Sequence, residues 1–218
     1  MPNRPDLPRL YAILDADVLA ARALDPLTLL DIWLAAGVRL VQLRAKTLPG
    51  GAFLELARAM ATRVRATSGV FIVNDRPDLA RMAGASGVHV GQDDLGPADA
   101  RAIVGPDAIV GISTHTDEQV GQALQLPVDY LAIGPVFETR TKGPTSDVAV
   151  GLPGVRRASE RARSAGLTAV GIGGITLATA RDVIAAGASS VAVISDLVAG
   201  DPAARVRAWQ EALDVPDP

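Results

Sequence analysis

The 218-residue chain has no cysteine, only two histidines and no apolar run long enough to cross a bilayer. Without cysteine there is neither a disulfide framework nor a thiolate metal site, and His89 and His115 are too few for a zinc cluster. A metal, if used, would be held by oxygen. No segment approaches the roughly 18 consecutive apolar residues of a membrane helix, and residues 1–9 lack the apolar core of a secretion signal. A cytoplasmic location is therefore expected, with no membrane partner. Charge of one sign is also scarce: 21 Lys and Arg stand against 24 Asp and Glu, for a net charge of −3 and a pI of about 5.4. That balance offers no basic field to a nucleic-acid backbone, so nucleic acid is not an expected partner. A small anionic ligand would have to be met by locally clustered cations.

What is present is apolar and periodic. Hydrophobic residues make up 49% of the chain and mean hydropathy is +0.26, which fits one domain over residues 1–218 with a large core. Strand-like runs recur at Leu10–Asp15, Leu40–Arg44, Val70–Asn74, Gly87–Val90, 109–113, Tyr130–Ile133, 168–171 and 190–194. Helical patterns lie between them. In 50–66, Phe53, Leu56, Met60 and Val64 recur at helical spacing, with Glu55, Arg58, Arg63 and Arg65 largely on other faces. Asp25-Pro26 and Asp201-Pro202 read as an N-cap followed by a first-turn proline, and Thr116 with Gln119 as a capping box. Glycines 37, 84, 166 and 187 each follow an alanine at the end of a helical stretch, where a left-handed C′ residue is wanted. Eight strand-then-helix units of this length predict a closed α/β architecture, a single (β/α)8 TIM barrel, rather than an open doubly wound sheet. Residues 1–9 are expected to form a flexible tail. Trp33 and Trp209 fall in helical patterns and are expected to pack against the barrel.

Barrel strands deliver whatever follows them to one shared mouth. Asp75 and Asp94, behind the third and fourth runs, would meet there and make a seat for a divalent cation and a polyphosphate, Mg2+ being suited to one or two carboxylates plus water and phosphate. As isolated residues, Asp75 could instead cap the next helix and Asp93-Asp94 could lie in a solvated loop. In the second run the pleat puts Gln42 and Arg44 on one face, with Lys46 on the same side if the chain stays extended. Gly171-Ile172-Gly173-Gly174-Ile175 and Ile194-Ser195 follow the seventh and eighth runs, where barrels often hold a phosphate. The segment 134–151 is too rich in Thr, Pro and Gly for a regular element, and its Thr139, Thr141 and Lys142 would suit a lid over a polyphosphate. His89 faces opposite to Val88 and Val90 and reads as a hydrogen-bonded core residue. His115 could assist proton transfer or cap the next helix.

These motifs, taken in order, resemble those of the thiamine-phosphate synthases. The resemblance is carried by Leu10–Asp15, by Val41-Gln42-Leu43-Arg44-Ala45-Lys46 and Val73-Asn74-Asp75-Arg76, by 87–94 and 111–116, and by 134–142 and 171–175. It covers nearly the whole chain and implies the same barrel. It further implies a transferase that joins hydroxymethylpyrimidine diphosphate to a thiazole phosphate, releasing pyrophosphate with Mg2+ assistance after a dissociative step. On matching positions, Asp75 and Asp94 would hold Mg2+. Gln42, Arg44, Lys46, Asn74, Ser113 and Lys142 would hold the pyrimidine diphosphate, with Arg44, Lys46, Ser113 and Lys142 serving the chemistry. Thr139, Thr141, Gly173, Gly174, Ile194 and Ser195 would hold the thiazole phosphate. The chain departs from the family pattern at Ala45, where Glu is common and whose loss is expected to loosen a salt bridge around Arg44, and at Glu138 and Arg140 in the long loop. Two other readings stay open: a thiazole tautomerase of the related barrel group, using a histidine such as His115, and a non-catalytic phosphate-binding barrel with a regulatory role. Self-association as a homo-oligomer is compatible with all three.

Overall fold

In the computed structural model, which describes residues 6–139 and 148–214, the apolar runs form eight strands. These are β1 (Leu10–Asp15), β2 (Leu40–Arg44), β3 (Val70–Asn74), β4 (Gly87–Val90), β5 (Ile109–Thr114), β6 (Tyr130–Ile133), β7 (Thr168–Ile172) and β8 (Ser190–Val193). Each pairs in parallel with the next, and β8 returns to β1 through Leu10↔Val191, Tyr11↔Ala192 and Ala12↔Val193, closing the (β/α)8 TIM barrel. The helices between them are α1 (Ala16–Ala20), α2 (Pro26–Ala35), α3 (Gly50–Ala66), α4 (Pro77–Ala83), α5 (Pro97–Val104), α6 (Asp117–Ala123), α7 (Gly151–Ser164), α8 (Ala180–Ala185) and α9 (Pro202–Leu213), with a short 3-10 turn at Ser195–Val198. Among the described residues no helix is long and apolar enough to cross a membrane.

Local chemistry starts and stops these elements as the sequence leads one to expect. Asp25 accepts from the Thr28 amide at 2.8 Å and Asp201 from the Ala204 amide at 2.9 Å, each followed by proline at the first helical position. Gly84 and Gly187 have φ of 68° and 104°, conformations that a Cβ disfavours. The capping box differs in detail. Thr116 accepts from the Gln119 amide at 3.2 Å, but the Gln119 side chain reaches past Thr116 to accept from the His115 amide at 2.7 Å.

Strand alternation sorts the core into two. Val41, Leu43, Val88, Val90, Leu131 and Ile133 point outward and are covered by helices, with Trp33 and Trp209 fully buried where α2 meets α9. Tyr11, Ile13, Leu40, Ile72, Tyr130, Ala132, Val170 and Ala192 point into the cylinder. Leu7 belongs to this inner cluster, while Ser190 donates to the Pro8 carbonyl at 2.8 Å and the Val191 amide to the Arg9 carbonyl at 2.7 Å. Among the described residues packing thus begins at Leu7, inside the free tail expected over 1–9, because Leu7 plugs the floor of the barrel.

Interior space is tight where it matters. Gly111 stands opposite Tyr130, and a Cβ at that position would run into the Tyr130 ring. Gly111→Ala should therefore destabilise by about 1–3 kcal/mol through overpacking. Gly51→Ala, where a Cβ meets nothing within 4 Å, should instead add up to about 1 kcal/mol by limiting the unfolded chain. Urea unfolding of the two variants checks the pair, and equal stabilities would contradict it.

Candidate active site

Inward-facing positions at the C-terminal ends of the strands carry most of the chain's unusual polar groups. On β2, Gln42 is buried and donates through Nε2 to the Tyr11 hydroxyl at 2.7 Å, and Arg44 sits one pleat higher toward the mouth. Arg44 is held by Asp15, its register partner at the tip of β1, through an Nη1–Oδ2 contact of 2.5 Å. Asp15 also caps α1, accepting from the Asp17 and Val18 amides at 3.1 Å. Asp17 accepts from the Lys46 amide at 2.9 Å and from the Thr47 hydroxyl, so one short helix start ties down the loop that carries Lys46. Those bonds, the Thr47 hydroxyl first, hold the Asp17 carboxyl below the usual range against the opposing effect of burial.

Asp75 does not cap α4. The residue at the cap is Arg76, with no side-chain cap bond, and Asp75 itself adopts φ 63°, a left-handed conformation uncommon for a residue with a Cβ. Its amide donates to the His89 carbonyl at 2.8 Å, and its carboxylate turns to Lys46 Nζ at 2.5 Å and to the carboxylate of Asp94. Asp94 in turn accepts from the Gly91 amide at 2.8 Å, whereas its neighbour Asp93 is exposed. Burial and the Asp94 carboxylate push the Asp75 carboxyl above the usual range, with Lys46 opposing. For Asp94, burial acts upward but is outweighed by the bond from Asp75, the Gly91 amide, Lys46 and His89, so its carboxyl is held low. Two carboxylates this close resist ionising together, and of the two it is the Asp75 carboxyl that is pushed up.

Deeper in the cylinder a chain of side chains crosses from β2 to β5. Tyr11 meets Tyr130 at 3.0 Å, Tyr130 meets His89 Nδ1 at 2.9 Å, and His89 Nε2 meets Ser113 Oγ at 2.9 Å. Gln92 donates to the Ser113 carbonyl at 2.6 Å. Asn74, buried at the tip of β3, is the register partner of His89. His89 is thus the hydrogen-bonded core histidine expected from its alternation. His115 bonds the Gly134 carbonyl through Nδ1 at 2.6 Å at the start of the long loop.

On the far side of the mouth, Gly173 and Gly174 have φ of 94° and 68°. Cβ atoms there would press on Pro135 and on the carbonyls of Phe137 and Glu138, while Phe137 donates its amide to the Gly173 carbonyl at 3.0 Å. The diglycine therefore admits the chain that leads to Thr139, which lies beside it. Ile194 and Ser195 begin the 3-10 turn after β8. Thr141 and Lys142 lie outside the described residues. Asp15, Asp17, Tyr11 and Tyr130 are the residues whose roles the sequence reading missed; Asp15, an inward strand-end acid opposite Arg44, was the one with a visible signal.

The family model described as thiamine monophosphate synthase matches residues 10–197. The chain belongs to the thiamine monophosphate synthase family. It is 46% identical to the thiamine-phosphate synthase of Koribacter versatilis (strain Ellin345) over 213 residues, covering 95% of this chain and 96% of that one. It is 44% identical to the thiamine-phosphate synthase of Azorhizobium caulinodans over 199 residues, 91% of each chain. Among solved structures, thiamine phosphate pyrophosphorylase from Pyrococcus furiosus superposes with a TM-score of 0.84 at 29% identity, covering 97% of both chains. As a member of the thiamine monophosphate synthase family the protein is an enzyme, a transferase of thiamine biosynthesis.

The departure at Ala45 has a local answer in this synthase-family barrel. Ala45 packs against the outer core, and Arg44 keeps an acidic partner through Asp15. The expected loosening of Arg44 is offset from β1. Asp15→Asn retains a capping side chain but removes the counter-ion, so unfolding stability should fall by about 1–3 kcal/mol. In an Arg44→Leu background the same change should cost much less, and additive losses in a double-mutant cycle would refute the coupling.

Proposed function

We propose that the protein joins hydroxymethylpyrimidine diphosphate to a thiazole phosphate, giving thiamine phosphate and pyrophosphate, in the cytoplasm and with Mg2+ bound between Asp75 and Asp94. The observation that carries this reading is the convergence of Asp75, Asp94 and Lys46 at one side of the mouth, with Arg44 beside them on β2.

The donor set suits the metal. Two carboxylates are held against each other, a like-charge crowding that a hard divalent cation would relieve. Among the described residues no group of three or more His, Cys, Asp or Glu could hold a metal. Asp75 and Asp94 would hold the ion together with water and the diphosphate, the manner in which Mg2+ is usually held. Bound there, Mg2+ would neutralise charge that grows on the departing pyrophosphate.

The chain's own residues then divide the work. Arg44, fixed in direction by Asp15, and Lys46, tethered by Asp17 and Asp75, present cations to the diphosphate, joined by Lys142 from the long loop. Gln42, Asn74 and Ser113 hold the pyrimidine end. Thr139, the Gly173-Gly174 turn, Ile194 and Ser195, with Thr141 from the long loop, hold the thiazole phosphate, so that its nitrogen waits in line with the carbon that loses pyrophosphate. The departure is dissociative and leaves a cation stabilised by the pyrimidine. No protein nucleophile or general base is required. His115, engaged with the Gly134 carbonyl, acts as a strut at the base of the long loop.

Calorimetry with inorganic pyrophosphate tests the metal seat directly. Binding should be at least about tenfold tighter with Mg2+ than without it, and Asp75→Asn should abolish that difference while the circular dichroism spectrum stays unchanged. Because Asp75 holds its proton above the usual aspartate range, the Mg2+-dependent component should weaken on acidification before pH falls to about 4. A Mg2+ effect that survives in Asp75→Asn would remove the metal from this site. For the loop cation, Lys142→Ala should slow the chemical step in single-turnover experiments by about 100-fold or more, and an unchanged rate would exclude Lys142 from the departure of pyrophosphate.

A further inference from the structure

The chain has two tyrosines, and both are spent on the interior of the barrel, Tyr11 2% exposed and Tyr130 fully buried. Volume alone does not explain them, because phenylalanine would fill the same space without taking a hydroxyl out of water. Their rings meet edge to face at 6.2 Å and 71°, Tyr130 stacks on His89 at 5.5 Å and 21°, and Gly111 makes the room. What the hydroxyls do is connect. They join Gln42 on β2 to His89 on β4 and so to Ser113 on β5, two residues at opposite sides of the mouth linked by four hydrogen bonds. Burial keeps both phenols protonated far into alkali, so each has one hydrogen to give at any working pH.

That single hydrogen sets a direction. Gln42 Nε2 donates to Tyr11, so Tyr11 must place its own hydrogen on Tyr130, the other partner the structure gives it; otherwise a buried donor is left unmet. Tyr130 then gives its hydrogen to His89 Nδ1, which leaves the imidazole proton on Nε2, directed at Ser113 Oγ. Ser113 accepts from His89 and keeps its own hydrogen for another acceptor. At the other end the Gln42 amide turns its nitrogen to Tyr11 and its carbonyl Oε1 away from it. Turning the amide over would reverse every donor in the row, so the amide orientation, both hydroxyls and the tautomer form one linked choice.

We infer that Tyr11 and Tyr130 are positioning residues of the active site: by a one-way row of hydrogen bonds they make Ser113 a hydrogen-bond donor and Gln42 a carbonyl acceptor toward the substrate. This rests on the proposed use of Gln42 and Ser113 by the pyrimidine diphosphate. It extends that reading by giving the site a required polarity, an acceptor of the ligand against Ser113 and a donor against Gln42, as an aminopyrimidine diphosphate provides.

The chain's two histidines make the test direct. In protein labelled with 15N-histidine, with His115→Gln used for assignment, long-range 15N–1H spectra should show His89 as a single tautomer protonated on Nε2. Tyr130→Phe should give mixed tautomers and raise KM for the pyrimidine diphosphate about tenfold, leaving KM for the thiazole phosphate unchanged. Tyr11→Phe should raise the same KM through Gln42, which keeps the test open if Tyr130→Phe folds poorly. Adding Ser113→Ala to Tyr130→Phe should cost less than Ser113→Ala costs alone. A wild-type His89 protonated on Nδ1, or on both nitrogens, would overturn the inference, as would a tyrosine variant with unaltered KM. If the wild-type protein forms no thiamine phosphate, the substrate reading fails, while the spectra still decide the direction of the row.

Discussion

The backbone hydrogen bonds that join β8 to β1 turn a sheet into a cylinder, and side chains on its inner face have nowhere to go but toward one another. Near the floor this is met with apolar volume: Leu7, Leu40 and Ile72 fill the space. Higher up the same constraint brings polar groups together, and each must find a partner because the cylinder excludes the water that would otherwise serve. The row from Gln42 to Ser113 satisfies that requirement across the barrel, and it holds both end residues in place as it does so. Packing and chemistry are here one structure.

At the mouth the same logic applies to charge. Arg44 and Lys46 leave β2 side by side, and each is set against an acid from a neighbouring strand, Asp15 on one side and Asp75 on the other. These contacts do different things. The Asp15–Arg44 pair is sheltered and satisfied, and it aims the guanidinium. Asp75 faces both a cation and a second carboxylate, from an uncommon backbone conformation. Strain and like-charge crowding thus fall on one residue of the mouth, beside neighbours whose charges are paired.

Much of this architecture is visible in the chain itself. Five of the eight strands have the expected bounds and the others shift by one residue, since period-two alternation and the flanking caps and glycines act over a few residues. The strand-tip residues Gln42, Arg44, Asn74, Asp75, Asp94 and Ser113 can be named from the sequence because a closed parallel barrel sends every strand end to one rim. Less legible was the share of work among them. Asp75 could have been an ordinary helix cap until its φ of 63° turned the carboxylate away from α4. The Gly173-Gly174 pair reads in the sequence as a phosphate cradle, and what the structure shows is that it makes room for the backbone at Phe137 and Glu138.

The sequence alone determined the alternation of strands and helices, their order and the identity of the residues at each tip, because hydrophobic period, capping and turn chemistry are local. Only the tertiary structure decided which tips touch: Asp15 with Arg44, Asp75 with Asp94 and Lys46, and two tyrosines separated by 119 positions whose hydroxyls meet at 3.0 Å. Partners so distant along the chain leave no periodic trace, and the closing of the barrel is the physical event that makes them neighbours.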